Sequence, residues 1–419
     1  MSKAKTKSAD NVYVGLDVGT TVVRVVVVRK NSSGGVDTIG VGTADSTGLR
    51  KGAVVNINAT IKDIQSAVLE AERMSGVSIK VACAGIAGSH IKSFNSHGLI
   101  SVKSGEVTRG DVVRVKESAE TVNIPVGFEV LHSLPQQFIL DGQGEIKDPV
   151  GMNGVRLEVD MHIVAGAVSN VASMMRSCTG AGISIEKLYL EQLAASEAVL
   201  LEDEKEIGIG LIDVGGGTTE LAVFNRGAVY HTATLQSGGA NFTRDLQIGL
   251  TTSELEAERV KVEHGCVWMD MVGADAVIDV ASVGGRPPRK LAKQVLTQIL
   301  YSRAEEVFTL ILGELQKSGL VDVVKNAGLV ITGGVANMEG IVELATSILG
   351  VPVRVGRPYN VGGLSDMVSD PAYATAVGLA LMHAKKGSSA NVIAKAGGNN
   401  DNMISSIFNN LRELVGEFF

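Results

Sequence analysis

The chain contains DVGTT at residues 17–21 and DVGGGTT at residues 213–219, two copies of one short pattern. Each copy follows an apolar run typical of a β-strand and precedes another such run, so each predicts a hairpin. We call their tips the first and second Gly/Thr turns. Glycine lets backbone N–H groups approach an anion closely, and threonine hydroxyls add further donors. Two such turns facing each other would hold a polyphosphate from both sides.

The length of 419 residues predicts about three domains. The composition, 45% hydrophobic and 20% charged, is typical of a globular protein. The net charge of −7 argues against nucleic acid as a partner. The three cysteines lie far apart without a CxxC motif, so neither a zinc site nor a disulfide framework is predicted. Residues 1–10 are polar and lysine-rich, and we interpret them as a flexible leader. No run approaches the roughly 20 apolar residues of a transmembrane helix.

A third glycine motif strengthens the phosphate interpretation. An Asp-x-Gly hairpin alone is often a plain turn, but three consecutive glycines in the second copy weaken both helix and strand and favour a functional loop. The segment ITGGVA at residues 331–336 then ends a β-type run in small residues. Such residues would leave a flat surface for an adenosine.

The order of these motifs resembles the actin-like ATPase superfamily, with EQLAAS (191–196) and AYATAVG (372–378) as its two connecting helices. The resemblance implies an α/β, ribonuclease-H-like, two-lobed ATPase fold that binds ATP and Mg²⁺ between its halves. It implies that Asp17 and Asp213 organise Mg²⁺, mostly through water, and that Glu191 positions the attacking water. That family usually has proline next, whereas this chain has Gln192. Glu191 could alternatively be a helix-initiating surface residue.

The resemblance also implies which residues contact the nucleotide. They are Gly19, Thr20, Thr21, Gly215, Gly216, Gly217, Thr218, Thr219, Gly238, Gly239, Gly333, Gly334, Val335 and Ala336. Glu258 and Lys261 lie three positions apart on one helical face and could reach the ribose or base. The alternative for this pair is an exposed ion pair.

The position of an extra segment indicates the branch of the superfamily. The third strand runs almost directly into the first helix, which leaves no room for the subdomain that actin inserts there. Residues 88–163 instead form a predicted α+β insert with a helix starting at Thr108. A subdomain relocated in this way resembles the FtsA family of bacterial cell-division proteins. Three further segments resemble that family: LEDEKEI (201–207), VEHGC (262–266) and GRPPR (285–289).

This resemblance implies a division of the chain into subdomains. They are a first core subdomain (11–87, 164–206 and 366–384), the insert (88–163), a second core subdomain on the adenosine side (207–245 and 326–365), an outer subdomain of the second lobe (246–325), a linker (385–402) and a C-terminal amphipathic helix (403–419). Within the outer subdomain we predict helices at residues 251–262, capped by Thr252 or Ser253, and 289–315.

The last segment has the pattern of a membrane-binding helix. At about 100° per residue its large apolar residues share one face: Ile404, Ile407, Phe408, Leu411, Leu414, Val415, Phe418 and Phe419. A Gly/Ser/Asn-rich linker precedes it, which favours an interfacial membrane helix over one docked on its own protein. Such helices are usually basic, but this segment has one basic residue, Arg412, and two acidic residues, Glu413 and Glu417. Attraction to anionic lipid must therefore be weak unless linker lysines help.

The resemblance implies polymerisation and anchoring of the tubulin-like protein FtsZ on the cytoplasmic face of the inner membrane at the division site. It also implies recruitment of other membrane proteins of the division machinery and control of assembly by the bound nucleotide, and it leaves open whether the chain is a weak ATPase. The resemblance implies that a basic cluster binds the acidic C-terminal peptide of FtsZ. The alternative is that this cluster is a solvated basic face. The cluster consists of Arg286, Arg289, Lys290, Lys293 and Arg303. Two alternatives are a pilus-assembly actin homologue and a sugar or other small-molecule kinase, which would need an acceptor pocket with its own general base.

Overall fold

The structure is a computed structural model that describes residues 11–121, 124–284 and 287–386. The strands, in chain order, are β1 Val12–Val18, β2 Val22–Lys30, β3 Val36–Asp45, β4 Leu49–Arg50, β5 Ala53–Val54, β6 Val81–Ile86, β7 Ile91–Ser101, β8 Phe128–Leu140, β9 Gln143–Ile146, β10 Arg156–Ala167, β11 Ser184–Leu190, β12 Ile209–Val214, β13 Thr219–Asn225, β14 Ala228–Leu235, β15 Val277–Val280, β16 Arg289–Ala292, β17 Leu329–Thr332, β18 Val353–Val355 and β19 Val361–Gly363. The helices are α1 Ile57–Ser75, α2 Arg109–Glu120, α3 Val168–Gly180, α4 Glu191–Val199, α5 Glu202–Ile207, α6 Gly239–Gly249, α7 Glu254–His264, α8 Lys293–Lys317, α9 Ile341–Leu349 and α10 Ala374–Lys386.

Two mixed sheets with the same internal order form the two lobes. The first runs β11-β6-β1-β2-β3-β19 and the second runs β18-β17-β12-β13-β14. In both, an antiparallel hairpin (β1–β2 or β12–β13) pairs in parallel with a later strand (β6 or β17) through its first strand. The two Gly/Thr turns therefore occupy equivalent positions, and the predicted two-lobed α/β fold is confirmed.

The central strands are buried because helices cover the sheets. All seven residues of β1 are buried, with α10 packed on one side and the α1 layer on the other. Strands covered on both faces need no alternation of polar and apolar residues, which explains the nearly continuous apolar runs before each turn.

The helices α4 and α10 cross closely where the lobes join. A Cβ atom added to Gly378 on α10 would lie 1.7 Å from the backbone oxygen of Ala194 on α4, so only glycine fits this crossing. Their buried faces share one apolar core with residues of both sheets, among them Val26 and Leu211. The lobes are thus joined through packed helices, as the two connecting motifs predict.

Residues between β6 and α3 form the insert, which has its own sheet of order β7-β10-β8-β9 and its own apolar core. Its helix α2 begins where predicted, with the Thr108 hydroxyl accepting from the Asp111 amide. The insert also contacts the second lobe at the edge strand β14. There Ser93 Oγ donates to the Thr232 carbonyl over 2.8 Å, and Gln136 Nε2 donates to the Val229 carbonyl over 3.0 Å.

The outer part of the second lobe corrects one predicted helix. Residues 289–292 form strand β16, which pairs with β15, and helix α8 begins only at Lys293. The ladder with β15 satisfies backbone groups that a helix would otherwise satisfy. The other predicted helix is confirmed as α7, and Ser253 caps it by accepting from the Glu256 amide.

The two ends of the chain carry predictions that the structure does not cover. Helix α10 continues through Lys386, so it includes the first two residues of the predicted linker. The leader, the rest of the linker and the predicted amphipathic helix lie outside the described residues. Within the described ranges, every helix is too short or too polar to cross a membrane.

Candidate functional site

A cleft of about 1320 Å³ lies between the lobes and is lined by both Gly/Thr turns. Of the predicted site residues, it is lined by Asp17, Gly19, Thr20, Thr21, Glu191, Asp213, Gly215, Gly216, Gly217, Thr218, Gly239, Glu258, Lys261, Gly333, Gly334 and Val335. Residues far apart in the chain thus meet around one cavity. The cavity is large enough for a ligand of nucleotide size.

The two Gly/Thr turns meet tip to tip. A Cβ atom added to Gly216 would lie 2.3 Å from Oγ1 of Thr21, and one added to Gly217 would lie 2.5 Å from Oγ1 of Thr20. Real side chains do not approach so closely, so glycine is required at both positions for this arrangement. The glycines of the second turn therefore lie directly against the threonines of the first, so the two turns face each other as the sequence repeat predicts.

Three predicted nucleotide contacts lie behind the cleft surface. Thr219 is fully buried, and its hydroxyl donates to the Ser237 carbonyl over 2.7 Å. Its side chain faces away from that of its strand neighbour Glu220, which lines the cleft, because neighbouring residues of a strand point to opposite sides. Gly238 packs against the second turn, where an added Cβ would lie 2.7 Å from the Gly215 oxygen. Ala336 is buried in the second lobe. We interpret all three as supports of the cleft wall.

Buried acidic groups line the floor of the cleft. Burial raises the pKa of Asp17 to about 7, with Arg24 opposing and Asp213 adding to the shift. Burial likewise raises the pKa of Asp213 to about 6, although a 3.0 Å hydrogen bond from Thr375 Oγ1 and the charge of Arg24 oppose it. Buried carboxyl groups that repel one another provide a favourable site for a cation.

Two charged residues of the site, Arg24 and Glu220, were not predicted from the sequence. Arg24 pairs with Asp17 across the first hairpin, and Glu220 pairs with Asp213 across the second. Both line the cleft. Burial and the neighbouring Asp213 raise the pKa of Glu220 to about 8, and its Oε1 has no hydrogen-bond partner among the described residues. Hairpin register would have identified both residues, because each sits opposite a predicted aspartate.

Glu191 begins helix α4, is half-buried and lines the cleft, and its catalytic role stays a prediction. Burial raises its pKa well above the usual range, and the charges of Asp17, Glu220 and Asp213 raise it further. Gly85 allows this position, since an added Cβ there would lie 2.8 Å from Cγ of Glu191. Gln192 is buried, and within the described part of the chain its Oε1 has no hydrogen-bond partner.

Glu258 and Lys261 form an ion pair of 2.6 Å at the cleft wall. Lys261 Nζ also donates to the Gly239 carbonyl over 3.2 Å and to Thr243 Oγ1 over 2.9 Å. The residues thus form an ion pair beside the cleft, and their contact with a ribose or base stays a prediction. Gly333 lies on the same side, with φ of 83° and the site of its absent Cβ only 2.4 Å from Asp213 Oδ1.

The predicted basic cluster is spread over two elements and is largely engaged. Arg286 lies outside the described residues. Arg289 lies on β16 with Lys290 and donates to the Leu250 carbonyl. Lys293 forms an ion pair of 3.3 Å with Glu339 at the start of α8. Arg303 lies further along α8, where it binds Asp245 over 2.6 Å and also binds Glu306.

Family models and curated relatives match the chain along most of its length. The model "Cell division protein FtsA" matches residues 210–378, and the model "SHS2 domain inserted in FTSA" matches residues 88–165. A cell division protein FtsA of Pseudomonas aeruginosa is 44% identical over 376 residues, which cover 89% of each chain. The FtsA of Bacillus subtilis is 38% identical over 372 residues, covering 88% of this chain and 83% of its own.

Solved structures share the fold at low sequence identity. A PilM–PilN type IV pilus biogenesis complex superposes with a TM-score of 0.65 at 18% identity, covering 89% of this chain and 98% of the other. MreB5 of Spiroplasma citri bound to ADP superposes with a TM-score of 0.56 at 14% identity, covering 90% and 98%. These neighbours confirm the actin-like fold, and the sequence matches decide the branch. The chain belongs to the FtsA family of cell-division proteins.

Proposed function

We propose that the chain binds ATP with Mg²⁺ between its lobes and that the bound nucleotide controls its self-assembly at the membrane during cell division. The observation that carries the proposal is the direct approach of the two Gly/Thr turns across one cleft. Backbone amides and threonine hydroxyls on both sides suit a polyphosphate. The ADP-bound MreB5 that shares this fold supports the same assignment.

The acidic floor of the cleft fits a magnesium ion held mostly through water. In the described part of the chain, no three or more His, Cys, Asp or Glu side chains are grouped closely enough to hold a metal directly. Mg²⁺ usually keeps several waters and takes one or two carboxylates together with phosphate oxygens. Asp17 and Asp213 are the carboxylates in this assignment, and Mg²⁺ supplies charge neutralisation to the phosphates.

The remaining groups divide between adenosine and the hydrolytic water. Gly333, Gly334 and Val335 form the adenosine side, with Glu258 and Lys261 on the adjoining wall. Glu191 accepts a proton from the attacking water and so supports ATP hydrolysis.

Attachment to the membrane is assigned to residues 403–419, which lie outside the described residues. Each large apolar side chain contributes roughly 1.5–3 kcal/mol when fully buried, and an interface buries only part of it. One helix therefore binds reversibly, whereas many helices on one polymer bind firmly through avidity. The protein would thus sit on the cytoplasmic face of the inner membrane as a peripheral protein.

The partner assigned to the outer part of the second lobe is the acidic C-terminal peptide of FtsZ. Among the described residues of the basic cluster, Arg289 and Lys290 on β16 are exposed and therefore accessible to such a peptide. Arg303 is only 21% exposed and holds two carboxylates, so a peptide would have to compete with them. Binding of this peptide would anchor FtsZ filaments to the membrane, and the chain would also recruit further division proteins.

Deleting residues 403–419 is expected to release the chain from liposomes while leaving ATP affinity unchanged, because the tail and the cleft are separate parts of the chain. Sedimentation with vesicles of inner-membrane lipid, alongside ATP titration, measures both. Leu411→Glu, on the apolar face, should reproduce the release. Asn410→Glu, on the polar face, adds the same charge and should pellet nearly as the unmodified chain does. Unchanged sedimentation after deletion would contradict the anchor.

A further inference from the structure

The short hairpin β4–β5 brings a lysine to the rim of the nucleotide cleft. Its tip consists of Lys51 and Gly52, with φ of 51° and 75°. A left-handed conformation is unfavourable for lysine, so the surrounding structure must impose it. The Gly52 amide donates to Thr20 Oγ1 over 3.0 Å, which ties the tip to the first Gly/Thr turn.

The side chain of Lys51 reaches across the rim to the second lobe. Its Nζ donates to Oε1 of Gln236 over 3.3 Å, and Gln236 lies two residues before Gly238, behind the second Gly/Thr turn. The side chain thus bridges the two lobes next to Gly52, which lines the cleft. Its partner is a neutral amide, so this contact leaves the positive charge uncompensated.

The start of the insert holds the tip from behind. A Cβ added to Gly52 would lie 2.6 Å from the Ala87 oxygen, and one added to Gly88 would lie 3.1 Å from the Lys51 oxygen. The backbone of the tip is therefore packed between the insert and the first turn. A long side chain on a fixed backbone can change partner without moving the hairpin.

The charge of the cleft leaves a role for such a cation. Among the described residues that line the cleft, the cations are Arg24 and Lys261. Arg24 faces Asp17 in the hairpin register and lies 5.4 Å from the ring centre of Tyr373, while Lys261 is paired with Glu258. Lys51 is a further cation beside the cleft, held next to Thr20 through the Gly52 amide, and a third phosphate would bring additional negative charge for it to meet.

We propose that Lys51 binds the terminal phosphate of ATP, exchanging the amide of Gln236 for a phosphate oxygen, and so makes the cleft prefer ATP over ADP. The proposal rests on nucleotide binding as proposed above. Lys51 acts through direct contact, and Gly52 and Thr20 position it.

Lys51→Met tests this, because the side chain is exposed and methionine keeps most of its length without the charge. The full chain is titrated with Mg·ATP and Mg·ADP by isothermal calorimetry. A lost charge-assisted hydrogen bond should weaken ATP binding by about 10- to 100-fold. ADP affinity should change by less than about threefold, and Lys51→Arg should recover a large part of the loss. Arg50→Ala removes the adjacent exposed charge of the same hairpin and should leave the ATP-to-ADP ratio unchanged.

Each outcome decides between distinct interpretations. An equal loss for ATP and ADP, or no loss for either, would overturn the role of Lys51 while leaving nucleotide binding in place. The same ATP-selective loss in Arg50→Ala would also overturn it, since general electrostatics would then be the cause. If the unmodified chain binds neither nucleotide, the proposed function itself fails.

Discussion

ATP binding is expected to be lost when Gly216 is replaced by alanine. The added Cβ would lie 2.3 Å from Thr21 Oγ1, so the two Gly/Thr turns must separate. Several hydrogen bonds to a charged phosphate would lengthen together, and each contributes roughly 1.5–3 kcal/mol. Calorimetric titration with Mg·ATP should show an affinity reduced by at least about 100-fold.

Gly273→Ala is the matched control for that substitution. An added Cβ at Gly273 would meet no atom within 4 Å, so the same chemical change should leave affinity unchanged. Thermal unfolding of both variants without nucleotide separates loss of binding from loss of fold. Gly216→Ala binding ATP as tightly as the unmodified chain would show that the turns do not hold the phosphates.

Replacing Glu191 by glutamine is expected to slow ATP hydrolysis by about 100-fold or more while ATP affinity stays within about threefold. A general base contributes roughly 10²–10⁴ to a rate, and the amide keeps the size of the side chain but cannot accept the proton of water. Phosphate release under saturating ATP measures this effect.

The pH dependence of ATP hydrolysis is an independent test of the role of Glu191. Burial and the charge of Asp17 raise the pKa of Glu191, so the carboxyl is protonated below that raised pKa and cannot act as a base. The rate of ATP hydrolysis by the unmodified chain should therefore increase as the pH rises through the raised pKa of Glu191. The residual rate of Glu191→Gln should lack that increase. Loss in Glu220→Gln with normal hydrolysis in Glu191→Gln would instead place the base at Glu220.

The parts of the fold that the sequence predicts well are those specified by local patterns. Both Gly/Thr turns follow buried strands and precede new ones, and the caps at Thr108 and Ser253 mark helix starts that the structure confirms. The relocated insert is predicted from the missing subdomain before α1 together with the α+β pattern of residues 88–163. Its limits at 88 and 163 stay a prediction beside the family match to residues 88–165.

What the sequence did not reveal depends on contacts between distant segments. Strand β16 was predicted as helix because its partner β15 cannot be recognised from short-range periodicity. Thr219 was grouped with Thr218, although strand alternation turns its hydroxyl towards Ser237. Arg24 and Glu220 required the register of each hairpin, and Lys51 required the position of β4–β5 against the first turn.

An experimental structure of the full chain with ATP and Mg²⁺ tests the central claim most directly. The triphosphate is expected between residues 19–21 and 215–218, with Mg²⁺ held through water by Asp17 and Asp213. Adenosine is expected beside Gly333 and Gly334. Nucleotide bound anywhere else, or a cleft without nucleotide at saturating ATP, would contradict the assignment of this site.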